Sequence, residues 1–311
     1  MKVALYISII LVFTKVACQE VILNTGFTVR DFDIIDNTLL YIEKRDIKNY
    51  NLITKTHDTL IDTNGYFIGG YGLKLFCDYK NQNIITASNE LIRDIGSIRF
   101  YDVPKKEINL YHVYYTTELM DFFLDPQDSL FFLSKKDKQI DMFKYGGVPR
   151  YHKIDSLKLN RYSRKINYSK GNLYYITDYG EVCNYNLKTR RNKRIYKGES
   201  LLVNFTSDNK YKNIYVTTFD GKLIKVNIDG DFPAQTIGIG KDIVEAIAMY
   251  KDKYILTGDW KGIIKLIDLQ TLSPVKQWHN KQRIVKIVVN DDYFYTSSSD
   301  RTIKRWKIEQ K

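Results

Sequence analysis

Proline, cysteine and histidine are all scarce in this sequence, and each scarcity removes a class of protein. Five prolines and 17 glycines among 311 residues exclude collagen-like repeats and a proline-rich linker. Three cysteines are too few for a disulfide scaffold. Cys77 and Cys183 also lack the Cys-x-x-Cys spacing of a zinc site. His57, His112, His152 and His279 are scattered, with no His-x-His or His-Glu-x-x-His pair to hold a metal. No Gly-x-Ser-x-Gly nucleophile elbow occurs. Gly238-Ile239-Gly240-Lys241 lacks the full phosphate-loop spacing and the Ser or Thr after its lysine, so it reads as a turn. Gly69-Gly70-Tyr71-Gly72 reads as another connection. The one marked apolar run, Val3 to Phe13, falls short of the ~20 residues a membrane span needs.

What is present is globular. Hydrophobic residues make up 44% and charged residues 27%, a balance that excludes intrinsic disorder. Aromatics reach 14%, with 25 Tyr and 15 Phe, and these residues favour strands. Residues 1–18 join a basic start, the apolar run and a small-residue end, Val16-Ala17-Cys18. That is the pattern of a secretory signal peptide cleaved before Gln19. Residues 19–311 would then form the mature domain, secreted or in the endomembrane lumen. Two alternatives stay open: a lipid anchor through Cys18, and a cytoplasmic protein whose N-terminus is an apolar strand.

A phrase recurs along residues 19–311. Tyr293-Phe294-Tyr295-Thr296 leads through a polar turn to Ile303-Lys304-Arg305-Trp306. Upstream, Ile255-Leu256-Thr257 precedes Ile264-Lys265-Leu266, and Leu173-Tyr174-Tyr175 precedes Val182-Cys183-Asn184-Tyr185. One column holds Ile47, Ile98, Ile140, Val182, Leu223, Ile264 and Ile303, spaced by about 40–50 residues. That period, with four strands per unit, predicts a seven-bladed all-β propeller of antiparallel blades. A turn-rich insert near Asn89–Ser97 would explain the long first interval. Unit seven has three strands of its own. Val21-Ile22-Leu23, ahead of unit one, is expected to pair with Ile303–Ile308 as its fourth and to bury its aliphatic side chains. Cys77 and Cys183 would lie two blades apart, as buried free thiols beyond disulfide reach.

A strand, a turn with Asp300, then Ile303 and Trp306 make a phrase that resembles the WD-repeat family of β-propellers. The resemblance covers nearly all of residues 19–311. It departs from the family in having one Trp in the aromatic column and no Gly-His pair, so the family's His–Asp hydrogen-bonded tetrad is not expected. It implies a non-catalytic platform, a monomer that binds partner proteins and needs no cofactor. The alternative is a secreted propeller hydrolase or lyase with its site at the central channel. Asp31, Asp33, Asp121 and Glu245 would lie near that channel, without a convergent pattern.

Lys188, Arg190, Arg191, Lys193, Arg194 and Lys197 form the sharpest surface feature and are placed on a loop after the third strand of unit four. Such a patch attracts polyanions. For a secreted protein, glycans or anionic membrane headgroups suit it better than nucleic acid; the plain alternative is a solvated loop. Two glycosylation sequons occur. Asn167 is expected to be exposed and modified near the first turn of unit four. Asn204, inside a first strand, is expected to be unmodified.

Overall fold

The second strands of the repeats are apolar without alternation: Leu39-Leu40-Tyr41-Ile42, Leu130-Phe131-Phe132-Leu133, Leu173-Tyr174-Tyr175-Ile176. A strand reads this way when both faces of its sheet are buried. The computed structural model describes residues 19–43, 46–61, 71–78, 83–90, 95–105, 107–114, 117–145 and 151–308, and it shows why both faces are covered. The expected leader (1–18), Gly69 and Gly70, and the C-terminal residues 309–311 lie outside the described residues.

Seven four-stranded antiparallel sheets form a seven-bladed β-propeller, with no helix among the described residues. The first strands of blades one to seven are Phe32–Ile35, Tyr71–Asp78, Leu119–Asp125, Ser163–Ser169, Leu202–Ser207, Val244–Tyr250 and Ile284–Asn290. Each contacts the next, and the last returns to the first, so they form the inner wall of the ring. Seven apolar clusters hold the blades together, one at each interface. Alternate side chains of a second strand serve opposite interfaces. Phe131 and Leu133 pack toward blade two, whereas Leu130 and Phe132 pack toward blade four. Phe131 stacks on Phe143 at 4.5 Å, and Phe122 meets it edge-on at 5.9 Å. In blade seven Trp306 stacks on Phe294 and donates its indole N–H to Thr296 Oγ1 at 2.9 Å.

The ring closes as expected. Gln19–Asn24 pairs antiparallel with Thr302–Lys307, running from Gln19 opposite Trp306 to Asn24 opposite Thr302. The pairing begins two residues before the apolar triplet and contains a bulge at Ile22. One expectation fails: Val21 is 48% exposed, because alternation turns it outward. The bulge instead aims both Ile22 and Leu23 at the cluster between blades seven and one. Glu20 adds an ion pair to Arg305.

The insert at Asn89–Ser97 is corrected as well. Asn83–Glu90 and Ile95–Asp102 are continuous strands on either side of residues 91–94. Asn89 is buried and clamps the next blade: its side chain donates to Leu119 O at 2.7 Å and accepts from Leu119 N at 2.9 Å. Cys77 and Cys183 are unbridged, as expected, but Cys77 is only half-buried. Burial raises the Cys183 thiol to about 11, the pKa of an inert thiol.

Deleting residues 19–24 is expected to lower the melting temperature by ten degrees or more, because it removes a whole edge strand and the cover over Ile303. Ile22→Ala with Leu23→Ala should cost roughly 2–4 kcal/mol, since both side chains are only half-buried, and Glu20→Ala under about 1 kcal/mol. Thermal melts of the three variants check this order. An equal response from all three would contradict a packing role for the bulge.

Candidate functional site

The inner strands carry one repeated distortion. In blades two to seven the pairing of first and second strands shifts by one residue, between Gly72 and Lys74, Leu119 and Asp121, Ser163 and Lys165, Leu202 and Asn204, Val244 and Ala246, and Ile284 and Lys286. A bulge of this kind re-aims the residue that follows it. Lys74, Asp121, Lys165, Asn204, Ala246 and Lys286, with Asp31 from blade one, all line a central cavity of about 290 Å³. Around the ring, from blade seven, the charges read Lys286, Asp31, Lys74, Asp121, Lys165.

These charges are fastened to one another and to the backbone. Asp31 accepts from Lys286 Nζ and, at 2.6 Å, from the backbone N–H of Leu75 in blade two. Asp121 Oδ1 accepts from Lys74 Nζ at 3.0 Å and lies 3.7 Å from Lys165 Nζ, while its Oδ2 accepts from the Ile166 N–H of blade four at 2.9 Å. Asn204 does the same neutrally, donating to Glu245 O of blade six at 2.9 Å. Blades one, three and five thus each staple the blade that follows. Burial by itself would raise the Asp121 pKa, but Lys165, Lys74 and the Ile166 N–H outweigh it and hold the carboxyl below its usual range. Burial pulls Lys74 below the ordinary lysine value, against the pull of Asp121. Burial raises Asp33, partly opposed by Lys286; its Oδ1 accepts from the Ile34 N–H.

A wider space of about 480 Å³ continues the channel toward the turns that join second and third strands, past Arg30, Arg164 and Arg283. There Glu245 is held twice. Arg283 grips it in a two-pronged ion pair, with Nη2 to Oε1 at 2.6 Å, and Trp260 donates its indole N–H to Oε2 at 2.8 Å. Trp260 begins a turn, Phe219 holds the same place in blade five, and Tyr179 lies one residue later in the corresponding turn of blade four. All three are exposed, at 41%, 56% and 50%. Phe219 and Trp260 lie 6.5 Å apart. Arg283 covers the Trp260 ring at 4.3 Å, and Lys197 and Arg161 cover Tyr179 at 3.5 and 4.9 Å. The turns are rigid: Gly180 has φ +74°, and any side chain there would meet the carbonyls of Gly198 and Ser200 at 2.8 Å.

The expected site residues are placed as follows. Lys188 and Arg190 sit in the turn before the fourth strand of blade four. Arg191, Lys193, Arg194 and Lys197 lie on that strand, Arg191–Lys197, and not on a loop. An outermost strand tolerates such a run because its free edge faces water. Arg194 pairs with Glu181 at 3.1 Å and Arg190 with Asp155 at 3.6 Å, while Lys197 donates to the Tyr179 carbonyl. The six cations therefore do not form one free patch. Asn167 lies in a first strand and lines the central cavity, with its Oδ1 accepting from Tyr211 at 3.4 Å. Asn204 is committed to Glu245 O. Asp31, Asp121 and Glu245 converge on the channel with Lys165 and with cations the sequence does not single out: Lys74, Lys286 and Arg283. Aligning the first strands by their pairing to the second puts Lys74, Asp121, Lys165, Asn204, Ala246 and Lys286 in one column, and aligning the turns puts Phe219 and Trp260 in one column with Tyr179 one residue later. Among the described residues, no three His, Cys, Asp or Glu side chains are grouped to hold a metal.

No family model matches the sequence, and no curated protein matches it. Among solved structures, the crystal structure of the computationally designed Ika8 protein is similar, with a TM-score of 0.67 and 14% identity. The match covers 92% of this chain and 98% of that one. At that identity the likeness concerns the fold alone.

Asp121→Asn leaves two lysines facing a neutral group in the channel. It should cost roughly 3–5 kcal/mol at neutral pH, as expected for an unpaired buried charge. The wild-type carboxyl is held below its unfolded value of about 3.9, so its contribution is complete above that pH and lost as pH falls through the folded value. Chemical denaturation at pH 7 and below pH 4 should therefore show a large gap between wild type and variant that narrows in acid. A gap that stays constant or widens in acid would contradict the ion-pair account.

Proposed function

We propose that this protein is a non-catalytic binding platform, and that its partner is another protein docked on the turns of blades four to six. The observation that carries this reading is the set Tyr179, Phe219 and Trp260: three exposed aromatic side chains on the corresponding rigid turns of adjacent blades, interleaved with Arg161, Lys197 and Arg283. Aromatic and arginine side chains dominate the energetics of protein interfaces. Their alternation here suits a partner segment that carries both apolar and acidic side chains.

The channel supports the same reading over an enzyme. Asp31, Asp121 and Glu245 each have an ion-pair partner, and Asp31 and Asp121 also cap a neighbouring blade's backbone. A general base needs a carboxylate with an oxygen available to substrate. The leader pattern at residues 1–18 supports a platform that follows the secretory route. Of the six cations from Lys188 to Lys197, Lys188, Arg191 and Lys193 have no ion pair among the described residues, and they are the ones fit to contact glycan or anionic lipid.

Affinity capture of residues 19–311 from the native compartment, with mass spectrometry of the retained proteins, identifies the partner. Tyr179→Ser, Phe219→Ser and Trp260→Ser together should weaken its retention at least about a hundredfold, since hot-spot truncations cost ~2 kcal/mol or more each. Retention unchanged by the triple variant, in a protein that melts like wild type, would overturn the assignment of the face.

A further inference from the structure

The channel has a charge imbalance that its own side chains do not resolve. Three ammonium groups, from Lys74, Lys165 and Lys286, and the Arg30 guanidinium line the same cavity as two carboxylates, from Asp31 and Asp121. One oxygen of each carboxylate is already taken by a backbone N–H, from Leu75 and Ile166. Lys165 is the least satisfied of the three, with its one carboxylate contact at 3.7 Å and shared with the closer Lys74. A second observation lies one residue away. Arg164, on the same strand, lines the wider end of the channel, and its Nε is shut off from solvent with no hydrogen-bond partner. A buried guanidinium N–H without an acceptor is costly, as is a surplus cation in a confined, poorly solvated space. Both deficits are met by one kind of guest, an anion with several oxygen acceptors. The nearby Arg283 does not meet them, since Glu245 occupies it with a matched pair of hydrogen bonds.

We propose that the central channel is a binding site for a small multivalent anion of the phosphate class, held between Lys165 and Arg164 and closed below by Lys74 and Lys286. A cavity of about 290 Å³ is at the small end of the range for ligand pockets, so the guest is metabolite-sized and not a polymer. Guanidinium and ammonium groups converging on phosphate oxygens give charge-assisted hydrogen bonds, which are roughly twice as strong as neutral ones. The wider space, bounded by Arg30 and Ser299, opens the way in from the turn face. This site is separate from the aromatic turns and from the outer strand of blade four, and it stands whether or not a protein docks on those turns.

The probe is inorganic pyrophosphate, titrated calorimetrically into residues 19–311 at fixed ionic strength, with citrate and chloride as comparison anions. The expected result is one saturable site for pyrophosphate, a weaker one for citrate and none for chloride. Lys165→Gln and Arg164→Gln should each weaken pyrophosphate binding about tenfold or more, the effect of losing one charge-assisted contact. Both side chains are partly solvated and Asp121 keeps Lys74 in either variant, so both should fold; their unliganded melting temperatures verify this. Reversing Arg190, Arg191, Lys193 and Arg194 to Glu should change binding by no more than about twofold, as distant exposed charges are screened. Saturable binding lost in the outer-strand variant but kept in Lys165→Gln and Arg164→Gln would overturn the proposal, as would the absence of any pyrophosphate site. Citrate binding as tight as pyrophosphate would overturn the phosphate class.

Discussion

Every blade of this propeller buries two faces at once, and the rest of the structure depends on that. A sheet with one wet face can alternate apolar and polar residues. A blade cannot, because Leu130 and Phe132 serve one neighbour while Phe131 and Leu133 serve the other. No blade completes its own core, so stability comes from interfaces and the chain must return on itself. The strand at Gln19–Asn24 is the consequence. Blade seven has three strands of late sequence, and the fourth comes from the beginning of the domain, so that closing the last sheet also closes the ring.

Ring packing also dictates the channel. Six of the seven inner strands carry a bulge that turns the residue after it toward the axis. Asp31, Asp121 and Asn204 supply acceptors or donors across the gap to the following blade. The carboxylates need counter-charges in a confined space, and Lys286, Lys74 and Lys165 provide them. What looks like a polar site is first a structural belt, and the surplus of cations plus the unpartnered Arg164 Nε is what remains after the belt is built.

The fold was legible because its constraint repeats. The column from Ile47 to Ile303 samples one buried position seven times, and no single blade had to be convincing. The latch was legible by subtraction, since Val21-Ile22-Leu23 had no unit of its own. Its details were not: the bulge at Ile22, which turns both Ile22 and Leu23 inward, depends on the shape of the gap between blades seven and one. The channel was hidden for a similar reason. Asp31 and Asp121 could be placed near the axis, but a one-residue shift in the inner strands of blades two to seven decides which neighbour points inward, and that brought Lys74, Lys165 and Lys286 to the same layer. The cluster from Lys188 to Lys197 misled in the opposite direction. Counted along the chain it is a patch; folded, half of it is held by Glu181, Asp155 and the Tyr179 carbonyl.

Tyr179, Phe219 and Trp260 are individually unremarkable exposed residues, and they acquire meaning from lying in corresponding turns of adjacent blades beside the channel mouth. The account stands on that face being where a partner sits. Hydrogen exchange of residues 19–311, free and saturated with the captured partner, measures it directly. Slowed exchange should appear in the turns at 178–180, 219–221 and 260–262 and leave the outer strand Arg191–Lys197 unchanged. Slowing confined to that outer strand, or to the opposite ends of the blades, would contradict it.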